Sequence, residues 1–143
     1  MHIVACILLT LAALGYSAAT VMADFNNTHA TNPDWTPHAR FHVVWQVLSY
    51  CGVALISLYL IWMPGPMPTE RLYLAAALAV AVYGGFFGAA IGRPFYGGAL
   101  YDKNGYLPFK APIGANWQWD VNMTAFTVTS VILLAGIAAV LAS

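Results

Sequence analysis

Four long apolar runs, at residues 3–23, 41–63, 72–91 and 121–142, alternate with polar segments, and none of them holds a Lys, Arg, Asp or Glu. Each approaches the roughly 20 residues that an α-helix needs to cross the hydrocarbon of a bilayer. Backbone amides in lipid have no water to bond, so runs of this length are predicted to be helices that satisfy their own N–H and C=O groups. The pattern predicts an all-α, integral membrane, antiparallel four-helix bundle, a single domain over 1–143 with spans at about 3–23, 37–63, 70–91 and 117–142. Four spans put both termini and the 64–69 turn on one face of the membrane, and the 24–40 and 92–120 segments on the other.

Local signals mark the helix ends. Thr36 before Pro37 predicts an N-cap with proline in the first turn of the second helix. Thr69 with Glu70 predicts the start of the third, and Gly92 followed by Pro94 predicts its end. Within that helix Gly84 and Gly88, and Gly85 and Ala89, are small residues four apart, a pattern that lets a neighbouring helix come close. The 93–116 segment is long for a connection and rich in aromatics: Phe95, Tyr96, Tyr101, Tyr106 and Phe109. It reads as a lid or as an aromatic belt at the headgroups, and Asn104-Gly105 predicts a short hairpin within 100–108.

Composition agrees with the spans. Of 143 residues 61% are hydrophobic and 7% charged, against roughly 25% charged in an ordinary soluble domain. The formal net charge of zero leaves no basic stripe to neutralise phosphates, so nucleic acid is excluded as a partner and the lipid bilayer is the first one. Cys6 and Cys51 fall inside apolar runs and read as small buried thiols. The first run also fits a cleaved signal peptide, with Val21, Met22 and Ala23 before Asp24 as the small-residue site. Its start offers only Met1 and His2 in place of a basic region, so a retained helix is expected. Arg40, Arg93, Lys103 and Lys110 against Arg71 alone would make the second face cytoplasmic, in a multi-pass protein for which a bacterial inner membrane is the expected location.

The 24–42 segment concentrates the candidate chemistry and holds three of the four histidines. If Thr36 caps the second helix, His38, His42, Trp45 and Ser49 lie on one face with Gln46 at its edge, and Arg40 points away. A second polar stripe, Trp117, Asp120, Thr124 and Thr127, opens the fourth helix at the same membrane face. Polar stripes in a small bundle turn away from lipid, so the two are expected to meet in a pocket. His38, His42 and Asp120 are the candidate acid–base groups. Asn26, Thr28, His29, Asp34, Trp45, Gln46, Arg93, Tyr96, Trp117 and Thr124 are the candidate ligand contacts. Three readings stay open. The histidines one turn apart suit a divalent metal, with His29, Asp34 or Asp120 as third ligand, although Arg40 nearby opposes a cation. The same groups without metal suit proton transfer. Alternatively His38 lies at the headgroups, Asp120 is only the N-cap of the fourth helix, and Asn26, Thr28, Asn32 and Asp34 form turns.

Asn27-Thr28-His29, Asn32-Pro33, Trp35 and Pro37-His38-Ala39-Arg40-Phe41-His42 resemble a family of small multi-spanning membrane proteins of unknown function found in bacteria and fungi. The likeness covers about a tenth of the chain closely, and the layout is similar to that of DoxX-like four-helix membrane proteins. It implies the fold and no reaction. Two functions therefore compete. One is a membrane enzyme or binding protein for a lipophilic small molecule such as an isoprenoid, sterol-like lipid or quinone. The other is a non-catalytic accessory subunit, packed through the glycine-lined third span against a larger membrane protein or a second copy of itself. A transporter ranks below both, because the span centres lack ionisable residues.

Overall fold

The computed structural model describes residues 1–103, 105–110 and 118–143. The first apolar run forms α1 (His2–Tyr16) and α2 (Ala18–Asp24), and the others form α3 (Pro37–Trp62), α4 (Pro68–Tyr96) and α5 (Val121–Leu141). Taken as His2–Asp24, Pro37–Trp62, Pro68–Tyr96 and Val121–Leu141, these four spans are long and apolar enough to cross a bilayer, and the protein is a membrane-spanning four-helix bundle.

The break between α1 and α2 has a local cause. Ser17 Oγ donates back to Ala13 O at 2.7 Å and Thr20 Oγ1 to Tyr16 O at 2.9 Å. Such back-bonding competes with the helix ladder and bends it. Ser17 N then bonds Leu14 O, three residues back, and helical bonding resumes from Ser17 O to Val21 N.

The first span is the centre of the bundle, with α1 against α3, α4 and α5. Its buried positions Ala5, Cys6, Leu9, Ala12, Ala13 and Tyr16 recur at helical spacing and meet Ala54, Ala75, Ala76, Ala79 and Ala139 from the other spans. In lipid there is little hydrophobic drive between helices, and close van der Waals approach through small residues takes its place. Tyr16, fully buried, shares a hydrogen bond with Ser57 Oγ at 3.2 Å and sits edge-on to Tyr50 and Tyr83. Tyr83 Oη donates to Ala12 O at 2.8 Å. Gly15 is needed beside it, since a Cβ there would lie 2.5 Å from Thr129 Cγ2 and 2.8 Å from Tyr83 Oη. Outward, Leu55, Ile56, Val80, Val131 and Leu134 are exposed and form part of the lipid-facing surface.

Three boundaries differ from the sequence expectation. The third span begins at Pro68 behind Met67, which adopts φ 54°, and Thr69 and Glu70 lie inside its first turn. It also runs through Gly92 and Pro94 to Tyr96, ending at Gly97 in the left-handed region with φ 67°. Antiparallel pairing joins β1 (Phe109–Lys110) to β2 (Gln118–Trp119), so the strands fall C-terminal to the expected 100–108 hairpin. Asn104 of the Asn104-Gly105 signal lies outside the described residues, while Gly105 N closes a turn on Asp102 O at 3.0 Å. The three glycines at 84, 85 and 88 of α4 are not packed among the described residues: a Cβ on any of them would meet nothing within 4 Å.

Gly15→Ala should therefore destabilise the bundle by about 1–3 kcal/mol through overpacking, whereas Gly84→Ala should leave stability unchanged or slightly raised. Thermal unfolding of both variants in detergent checks the contrast.

Candidate functional site

A cavity of about 550 Å³ opens where α2, α3, α4 and α5 reach the end of the bundle that carries the 25–36 segment and residues 99, 100 and 106 of the long connection. Its polar lining is Thr20, Asp24, His29, Gln46, Arg93, Tyr96, Tyr106 and Asn122, and its apolar lining includes Gly15, Val43, Phe86, Ala90 and Phe126. Phe86 lies seven residues before Arg93 on α4, about 10 Å along a helix axis. The lining thus grades from polar at the bundle end to aromatic toward the bilayer centre.

The 25–36 segment is a compact knot held by its own side chains. Asn26 Nδ2 donates to Met22 O and Ala23 O, closing the end of α2, while its Oδ1 accepts from Thr28 N at 2.8 Å and Thr28 Oγ1 at 2.6 Å. Asn32, fully buried, donates to Thr28 O at 2.9 Å and accepts from Asp34 N at 3.0 Å. These local bonds are what Asn, Asp and Thr offer in place of a ladder. They deliver His29 to the cavity wall. Its Nδ1 is 2.7 Å from Thr28 Oγ1 and 3.7 Å from Asp24 Oδ1, and its ring stands edge-on to Trp35 at 5.2 Å. Thr28 Oγ1 makes its shortest donation to Asn26, so it accepts from His29, which places the ring proton on Nδ1 and leaves the lone pair on Nε2. The side chains of His29 and Asp24 are only 22% and 19% exposed, so the pair is largely shielded from water.

Arg93 reaches the cavity through a backbone requirement. Pro94 has no N–H, so Ala90 O loses the partner a continuous helix would supply. Arg93 Nε donates to that carbonyl at 2.7 Å. The helix thereby passes through the proline, and the guanidinium is anchored by its Nε with its terminal nitrogens left over. Tyr96 Oη is tied in a similar way to Ala89 O at 2.8 Å. Asn122 Nδ2 holds Leu100 O at 3.0 Å, fastening the long connection to α5.

Of the sequence candidates, His29, Gln46, Arg93 and Tyr96 line this cavity. His38 and His42 are exposed on α3, in contact with each other at 3.0 Å between Nε2 atoms, and do not reach it. Trp45 is likewise exposed, beside Phe41 and His42. The polar face of α3 therefore turns outward at its first two turns, against the expectation that it faces inward. Asp120 caps α5, its Oδ1 accepting from Met123 N at 2.8 Å, and Thr124 Oγ1 donates to Asp120 O. Asn26 and Thr28 support His29 without lining the cavity, and Asp34 pairs with Lys103 at 3.2 Å. Trp117 lies outside the described residues. No group of three or more His, Cys, Asp or Glu placed to hold a metal ion occurs among the described residues. Sequence reasoning passed over Asp24, Thr20, Tyr106 and Asn122 as lining groups. For Asp24 a signal existed, a lone acid at the end of an apolar run five residues before a histidine.

Asp120→Ala should cost about 1 kcal/mol of stability through loss of the cap, and Asp120→Asn should restore most of it, since Asn caps nearly as well. Thermal unfolding of the two variants reads the difference.

No family model, no curated protein and no solved structure matches this chain.

Proposed function

We propose that this integral membrane protein binds a lipophilic small molecule in the cavity and acts on its polar head by proton transfer at His29, assisted by Asp24. The observation that carries the reading is the Asp24–His29 pair on the wall of a cavity whose inner lining is apolar. A carboxylate on the Nδ1 side steadies the imidazolium when Nε2 takes a proton, and a water-poor surrounding strengthens that effect. A volume of about 550 Å³ suits one drug-sized molecule. The ligand enters with its tail toward Phe86 and Phe126 and its head among Asp24, His29, Gln46 and Asn122. An isoprenoid, a sterol-like lipid and a quinone all have this division. The roles first assigned to His38, His42 and Asp120 pass to His29 and Asp24 on this reading.

The second reading, an accessory subunit, is favoured by one observation: Gly84, Gly85 and Gly88 present an unfilled face on α4, open to a helix of another membrane protein or a second copy. It requires no ligand in the cavity. In either case the cavity end faces the cytoplasm by its excess of Arg and Lys, with both termini on the opposite side. Reporter fusions at Met1 and Ser143 should both report the non-cytoplasmic compartment.

Farnesol, cholesterol and decylubiquinone, added to the purified protein in detergent, test the binding through quenching of Trp fluorescence, with Trp35→Phe marking the local signal. His29→Ala and Asp24→Asn should weaken the binding of whichever probe is taken up by about tenfold or more, and His42→Ala should not change it. Failure of all three probes to bind, or a larger effect of His42→Ala than of His29→Ala, contradicts the reading.

A further inference from the structure

Arg93 carries an inference that rests on the cavity's proposed role as a ligand site and names the head group it selects. The guanidinium is always charged and lines a cavity with a largely apolar inner wall, where an unpaired charge is costly. Its Nε is spent on Ala90 O. Among the described residues no Asp or Glu lies within ion-pair distance of it. Asp24, on the same cavity, has His29 beside it at 3.7 Å, and Asp34 has Lys103 at 3.2 Å. The terminal nitrogens of Arg93 thus retain a planar fork of N–H donors without a counter-charge, a shape that matches two oxygens of one oxyanion.

We propose that the cavity selects an amphiphile with an oxyanion head, a carboxylate or a phosphate monoester, whose oxygens pair with Arg93 while a single tail lies along Val43, Phe86 and Phe126. The proline at 94 is part of the device. By orphaning Ala90 O it gives the guanidinium a fixed anchor, so the donors are aimed before the ligand arrives and little side-chain freedom is lost on binding. Asp24, on the same cavity, sets the opposite preference and has His29 beside it at 3.7 Å.

The test compares three compounds with one tail: farnesol, farnesoic acid and farnesyl phosphate. Binding to the purified full-length protein is measured in neutral detergent at pH 7.5 by Trp quenching and by equilibrium dialysis. The farnesyl phosphate and farnesoate arms separate the two oxyanions, and nanodiscs of phosphatidylcholine with and without phosphatidylglycerol show whether a lipid phosphate competes. The oxyanions should bind about tenfold to a hundredfold more tightly than farnesol. Arg93→Gln should bring them down to the level of farnesol, and Arg93→Lys should keep part of the preference. Because the wild-type series needs no variant, it decides even if Arg93→Gln unfolds at Pro94. Farnesol binding as tightly as both oxyanions overturns the inference and leaves the ligand reading standing. No binding of any of the three overturns both.

Discussion

Inside a bilayer an N–H, C=O or hydroxyl without a protein partner has no water to turn to, and this constraint governs most of the chain, with Ser130 Oγ in α5 a buried hydroxyl that finds no partner among the described residues. Helices answer it for the backbone. Side chains answer it where the backbone fails: Arg93 supplies Ala90 O, which Pro94 cannot. Tyr16 meets Ser57, and Tyr83 and Ser17 spend their hydroxyls on carbonyls of α1. Each of these pairings also fixes a position, so satisfying polar groups and placing side chains are one act in this protein.

The central place of α1 follows from its composition. Alanines at its buried positions allow three other helices to approach, and Gly15 admits Thr129 and Tyr83 where any larger residue would collide. Close packing around α1 holds for its length, but α2 departs after the Ser17 bend, and the cavity occupies the end of the bundle where the helices no longer fill the space between them. The bend that weakens the helix and the cavity that receives polar side chains are therefore found together. The loop that closes this end is rigid by its own bonds, with Asn26 and Asn32 as its two fasteners, so His29 is held on an irregular segment with the order usually supplied by a helix or strand.

The two histidines that regular spacing brings together, His38 and His42, do meet, yet on the outside of α3. Helical periodicity says which residues share a face and nothing about which way that face turns. Rotation of α3 is set by its buried positions Val47, Ala54, Ser57 and Ile61, which place Phe41, Trp45 and the histidines outward in the N-terminal part of the span.

What the chain's sequence by itself determined is the set of spans, because their length and lack of charge admit few folds in lipid, and the cap at Thr36, because capping is a contact over three residues; the cap at Asp120 was one of its open readings. Turns at Asn26, Thr28, Asn32 and Asp34, residues that bond their own backbone, were likewise one of its open readings, beside ligand contact. Tertiary structure alone decided which polar groups converge. Asp24 ends the short helix that follows the Ser17 bend and His29 belongs to a knot with no periodicity, and Gln46, Arg93 and Asn122 come from three different helices whose rotations depend on how alanine, glycine and tyrosine side chains fit against α1. The run of α4 through Pro94 was likewise invisible in one dimension, since the donor that rescues Ala90 O is a side chain whose direction depends on the space left beside it.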